Sequence, residues 1–141
     1  MRRKKDRIII DTNLWISFLL SKRTTGLDRL LLEQSITLIF SQELLDEFIE
    51  VARRSKLKKY FNLSDLEELL IQINFHAEFV SITSSINLCR DQKDNFLLSL
   101  AIDSNATYLL TGDKDLLVLN KIGKTKIITV TQFLSEKSTN N

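Results

Sequence analysis

The chain has 141 residues, of which 43% are hydrophobic and 27% charged, enough for one compact domain with an ordinary buried core and too little for two. Twenty Lys and Arg against eighteen Asp and Glu leave a net charge of +2, too near balance for a general polyanion coat or an acidic disordered chain, so any nucleic-acid contact must be local. A single Cys (Cys89) and a single His (His76) exclude an internal disulfide and a Cys/His zinc cluster, and they fit a reducing, cytoplasmic setting.

The apolar runs are far shorter than the roughly 20 residues a membrane helix needs. The basic start MRRKKDR leads into only a few isoleucines before Asp11, so no signal peptide and no membrane partner are expected. Proline is absent and glycine scarce, which argues against a Pro-rich linker, collagen or a glycine-dense phosphate loop.

Residues 1–6 read as a basic N-terminal tail, 7–134 as the folded domain and 135–141 as a disordered tail. Within the domain, RIII at Arg7 to Ile10 is short, β-branched and wholly apolar, the pattern of a strand covered on both faces. Asp11 stops it. Helical patterns follow over Leu14 to Leu20 and Gly26 to Gln34, and ITLIF at Ile36 to Phe40 is a second buried strand. Ser41 is placed to cap a helix carrying Leu44, Leu45, Phe48, Ile49 and Ala52, and Ser64 with Glu67 forms a capping box for the next. Glu78 to Ile82 reads as a third strand, Asp94 to Ser104 as a helix, Thr107 to Leu110 and Lys126 to Val130 as the fourth and fifth strands, with Thr131 capping a short final helix. Short apolar strands alternating with helices call for a three-layer α/β/α sandwich around a mostly parallel five-stranded sheet. In such sheets the site lies beyond the carboxyl ends of the strands, where strand order reverses.

Acids stand at those places. Asp11 follows the first strand directly, in DTN, and suits either a cap for the next helix or a metal ligand. Asp113 and Asp115, in TGDKD after the fourth strand, are equally good turn chemistry and good ligands. Glu47 falls roughly 40° from Val51 on the helical wheel, at the border of the apolar stripe, so it leans toward the protein or pairs with a cation there. Asp94 lies on the apolar side of its helix, between Leu98 and Ala101, while Asn95, Ser99 and Asp103 form the polar side. Asp91 and Asp94, three residues apart, also suit a cap and a first-turn acid favoured by the helix dipole, a reading that accounts for Asp91 better than for Asp94.

Four carboxylates roughly 6 Å apart at an effective dielectric of 20 would repel by about 3 kcal/mol per pair, roughly 17 kcal/mol over all pairs before screening. That rivals the stability of a whole domain, so such a cluster needs a cation or must take up protons. Oxygen-only ligands select Mg²⁺ or Mn²⁺, ions that keep waters suited to phosphodiester hydrolysis. Arg53, Arg54 and Lys56, after the Glu47 helix, are candidates to guide an RNA backbone, or a solvated helix end whose cations suit the dipole. His76 and Cys89 are assigned no chemistry.

Together, IIIDTN, SQELLDEFIEV, RRSKL, DQKDNFLLSLA and YLLTGDKDLL resemble the PIN-domain ribonucleases, in particular the group of toxin components of toxin–antitoxin systems. The resemblance runs from about Arg7 to Leu134. It implies a metal-dependent endoribonuclease with Asp11, Glu47, Asp94 and Asp113 as the catalytic quartet. Asp11, Asp94 and Asp113 are then metal ligands, with Asn13, Thr111 and Asp115 in support. It implies in-line attack giving a 5′-phosphate and a 3′-hydroxyl, strand order 3-2-1-4-5, an antitoxin partner and a homodimer. Two departures are Gln92, where relatives often carry Pro, and Trp15, bulky after DTN. An aspartate-nucleophile phosphatase fits less well, because Asn13 stands where it needs a second Asp. The remaining alternative is a catalytically silent RNA-binding or partner-binding module on the same fold.

Overall fold

The computed structural model describes residues 5–21 and 36–139; the helix expected over Gly26 to Gln34 lies outside them. Thirteen elements follow: β1 (Asp6–Ile10), α1 (Thr12–Ser21), β2 (Ile36–Phe40), α2 (Gln42–Ala52), α3 (Ser55–Lys58), α4 (Leu63–His76), β3 (Ala77–Phe79), α5 (Gln92–Ser104), β4 (Tyr108–Leu110), α6 (Lys114–Leu117), β5 (Lys121–Ile122), β6 (Thr125–Ile128) and α7 (Val130–Thr139). They form a sheet of order β3-β2-β1-β4-β6-β5. Every pairing is parallel except the β5–β6 hairpin. The expected order is therefore present, with one strand added. At two residues, β5 is too short to show a hydrophobic period, and the sequence reading passed over it. Gly123, at φ +56° in the turn, accommodates the hairpin.

β1 and β2 owe their central place to composition. Ile8, Ile9 and Ile10 are 0–1% exposed, as a strand covered on both faces requires, and Leu38, Ile39 and Phe40 are similarly buried. The crossover from β2 to β3 carries α2 to α4, whereas that from β3 to β4 passes back over the sheet through α5. Right-handed connections in opposite directions place these helices on opposite faces. Trp15, the bulky residue after DTN, packs into this core against Phe18, Phe40 and Phe48.

Helix boundaries shift where caps compete. Ser41 Oγ accepts from the Leu44 N–H at 3.1 Å, as expected. The next long helix is capped by Asn62 and Asp65 rather than by Ser64 and Glu67: the Asn62 N–H donates to Asp65 Oδ2 at 3.1 Å, closing the box earlier in the chain. At the C-terminal side Thr129, not Thr131, caps α7; its Oγ1 accepts from the Gln132 N–H, and Gln132 Oε1 accepts from the Thr129 N–H. α7 continues through Thr139, so the residues expected to open a disordered tail are helical to that point. Glu136 fastens this stretch by accepting from the Tyr108 hydroxyl at 2.9 Å.

The third strand stops at Phe79 instead of running to Ile82. Beyond Val80, whose N–H still donates to Phe40, the backbone is captured by side chains of α5. Asp103 accepts from the Thr83 and Ser84 N–H groups, Ser99 Oγ accepts from the Ile86 N–H, and Asn95 closes a two-way pair with the Cys89 peptide. This is the side of α5 that its polarity suggests should be wet. Asn95 and Ser99 are each 3% exposed, covered by the strap they bind.

Candidate active site

Ile10 of β1 pairs with Leu110 of β4, so the two central strands end level and their next residues, Asp11 and Thr111, emerge side by side. The Asp11 N–H donates to the Leu110 carbonyl at 3.0 Å, extending the ladder by one rung. Its side chain then serves two neighbours: Oδ1 accepts a long bond from the Asn13 N–H at the start of α1 (3.4 Å), and Oδ2 accepts from the Thr111 hydroxyl at 2.7 Å. The capping and site readings of Asp11 are one geometry. Burial raises its pKa and the negative charge of Asp113 adds to this, while the bonds from Thr111 and Asn13 oppose it.

Thr111 also fixes Asp113. Its Oγ1 accepts from the Asp113 N–H at 3.0 Å while donating to Asp11, so one hydroxyl sets the separation of two acids. Asp113 caps α6, accepting from the Asp115 N–H at 2.9 Å.

Asp94 arrives from the other side of the sheet, in the first turn of α5 after the Asp91 cap. It is 7% exposed. Burial, the charges of Asp113 and Asp91, a hydrogen bond to Asp113 and the charge of Asp11 push its pKa up to about 7. Asp94 is therefore the acid of this group that burial and its neighbours most strongly favour in the protonated form. Asp94, Asp113 and Asp115 each offer an oxygen within 4.8 Å of the others.

Glu47 reaches the same place from α2. Its Oε2 accepts from Thr12 Oγ1 at 3.2 Å and its Oε1 lies 3.6 Å from Lys93 Nζ. Asp11, Glu47, Asp94 and Asp113 thus line one cleft of about 200 Å³, together with Thr12, Asn13, Asp91, Lys93 and Arg54. Asp115 is exposed beside it and belongs to the tightest trio of acids. Of the three basic candidates, Arg54 lines the cleft, Arg53 closes α2 through its backbone N–H, and Lys56 is exposed on α3. Sequence reasoning did not single out Thr12 or Lys93. Each stands beside an acid already chosen, in DTN and in QKDN, and that adjacency was the available signal.

The donors are carboxylates and hydroxyls, and burial with the neighbouring acids pushes one carboxyl, Asp94, up to about 7. Such a set suits a hard divalent cation better than zinc or copper.

Comparison with known proteins agrees with this architecture. A PIN domain family model matches residues 7–115. An uncharacterized protein of Methanocaldococcus jannaschii, MJ1680, is 31% identical over 128 residues, spanning 88% of this chain and 81% of that protein. The fold is similar to a chain in the crystal structure of VapBC2 from Rickettsia felis bound to a DNA fragment from their promoter, with a TM-score of 0.59 at 18% identity, over 86% of this chain and 96% of that one. With the match running from β1 through β4 and taking in each acid of the cleft, the chain belongs to the PIN-domain family.

Proposed function

We propose that the protein is a metal-dependent endoribonuclease, the toxin of a toxin–antitoxin pair. The observation that carries this reading is the meeting of four acids from separate elements in one cleft; burial and the neighbouring acids push the Asp94 carboxyl up to about 7 there. A bound Mg²⁺ or Mn²⁺ would supply an activated water and neutralise the charge that develops on phosphorus. Asp11, Asp94 and Asp113 are the residues to hold it, with Asp115 at its open side. Thr111 keeps two of these carboxylates at a fixed spacing. Glu47, oriented by Thr12, either completes the ion's shell or takes the proton of the attacking water. Arg54 at the cleft wall attracts the RNA backbone.

The partner is expected to be a cognate antitoxin, and the occurrence of the VapBC2 neighbour on promoter DNA fits an assembly of that type. A homodimer follows from the family resemblance. No helix among the described residues is long and apolar enough to cross a membrane.

The test is RNA cleavage by the purified protein with Mn²⁺ or Mg²⁺, with chelator, and with Asp11→Asn. Cleavage leaving 5′-phosphates, abolished by chelator and reduced at least about 100-fold by Asp11→Asn, is expected, since a buried charge partner of the ion is lost. Equal cutting by variant and parent would place the activity elsewhere. Ion binding with no cleavage of structured or single-stranded RNA would favour a silent binding module.

A further inference from the structure

Lys93 occupies an unfavourable place for a lysine. It is the second residue of α5 after the Asp91 cap, where the positive end of a thirteen-residue helix repels a cation. Its ammonium extends across the cleft to Glu47 Oε1, 3.6 Å away. The two partners are held unequally: the Lys93 side chain is 58% exposed and the Glu47 side chain 17%, with Thr12 bonded to the other carboxylate oxygen. An exposed pair of this kind is weak, so the lysine leaves at little cost.

Resting on the nuclease reading, we propose that Lys93 binds the substrate: its ammonium, paired with Glu47 across the cleft, transfers to an RNA phosphate that enters beside a bound cation. With a cation held by Asp11, Asp94 and Asp113, the ammonium would face a like charge and would no longer be needed to neutralise the acids. An entering phosphate then offers Lys93 a doubly favourable move, since it leaves a positive neighbour for a negative one. The exchange releases Glu47 toward the reaction at the moment substrate is present. Arg54, from the turn after α2, lines the same cleft, so cations from two elements flank the acids and a phosphate backbone can run between them. The unliganded Lys93–Glu47 pair is therefore a competitor of the ion, and removing the lysine should help ion binding while harming RNA binding. A lysine that merely stabilised the fold would move neither in that way.

The experiment compares the parent with Lys93→Met and Lys93→Arg. Mn²⁺ binding is measured by titration calorimetry. Binding of a single-stranded RNA of about 20 nucleotides is measured by fluorescence anisotropy in Ca²⁺, between about 50 and 200 mM salt, so that the salt slope counts phosphate contacts. Lys93→Met should bind Mn²⁺ about two- to fivefold more tightly, bind RNA more weakly, and show a slope of log Kd against log salt smaller by about 0.7, the loss of one phosphate contact on a single strand. Lys93→Arg should return both quantities to the parent's. Unchanged or weaker Mn²⁺ binding in Lys93→Met overturns the proposal, as does an unchanged salt slope. A parent that binds Mn²⁺ and RNA beside an indistinguishable Lys93→Met sinks this inference alone, whereas a parent that binds neither sinks the nuclease reading and this inference with it.

Discussion

Replacing Asp94 by Asn should make the ion-free protein more stable, and only above a definite pH. Burial and the neighbouring acids raise this carboxyl from an ordinary 3.8 to about 7, so the folded state holds the proton more tightly than the unfolded chain does. Between those values folding takes up a proton, and stability falls as pH rises. By pH ~8 the ionised, folded parent has lost up to about 4 kcal/mol relative to pH ~4 through this group, at about 1.4 kcal/mol per tenfold change in acidity. Asn mimics the protonated acid in shape and in donating to Asp113, so it escapes the loss. Thermal unfolding in chelator should show parent and variant nearly equal at pH ~4 and the variant higher at pH ~8, by as much as about 10 °C at roughly 3 °C per kcal/mol. Mn²⁺ should narrow the gap at pH ~8 and close it near a thousandfold excess over its dissociation constant, because it stabilises the parent by about 2.7 kcal/mol at a hundredfold and about 4.1 at a thousandfold excess and binds the variant poorly. A difference in melting temperature that is the same at both pH values would refute the raised pKa of Asp94. A parent that is the more stable at pH ~8 in chelator would refute the account of repulsion among the acids altogether.

Two further outcomes follow from single atoms. Thr111→Val removes the hydroxyl that donates to Asp11 and accepts from Asp113; it should cost about 1–3 kcal/mol in denaturant unfolding and weaken Mn²⁺ binding by calorimetry, whereas unchanged ion affinity would mean the acids hold their spacing without it. Asn95→Ala removes both hydrogen bonds to the Cys89 peptide and should cost about 2–3 kcal/mol, with amide exchange accelerated across residues 83–91 more than in β1; a uniform loss of protection would show that the strap is not an independently anchored unit.

The layers of the fold were legible because they depend on long-range hydrophobic arithmetic. RIII and ITLIF could only be strands with both faces covered, and their spacing from the later apolar runs required crossovers. The acids were legible for a related reason: Asp94 breaks an apolar face, and Asp11 and Asp113 follow strands whose ends must be level if β1 and β4 are neighbours, as the register of Ile10 with Leu110 has them. Reading failed where a side chain substitutes for secondary structure. The polar face of α5 looked solvated because Asn95, Ser99 and Asp103 are polar, yet they are consumed by the backbone of a strap that has no ladder of its own. The same local chemistry explains the caps, since Asn62 with Asp65 and Ser64 with Glu67 are both sound boxes, and the structure uses the earlier one, directly after the buried Phe61.

Asp11, Asp91 and Asp113 stand at the starts of α1, α5 and α6, and Asp94 in the first turn of α5, so capping and chemistry use the same residues. This explains how a domain of modest stability tolerates such crowding of charge. Each helix start presents unsatisfied N–H groups and, in α1 and α5, the positive end of a dipole spanning ten and thirteen residues, which offsets part of the repulsion. The offset is incomplete, because Asp94 still keeps its proton to about pH 7. What remains is a cleft whose carboxylates reach full charge together only when a cation joins them. The residual charge that destabilises the empty site is the same charge that would hold the ion, and weakening either should weaken both.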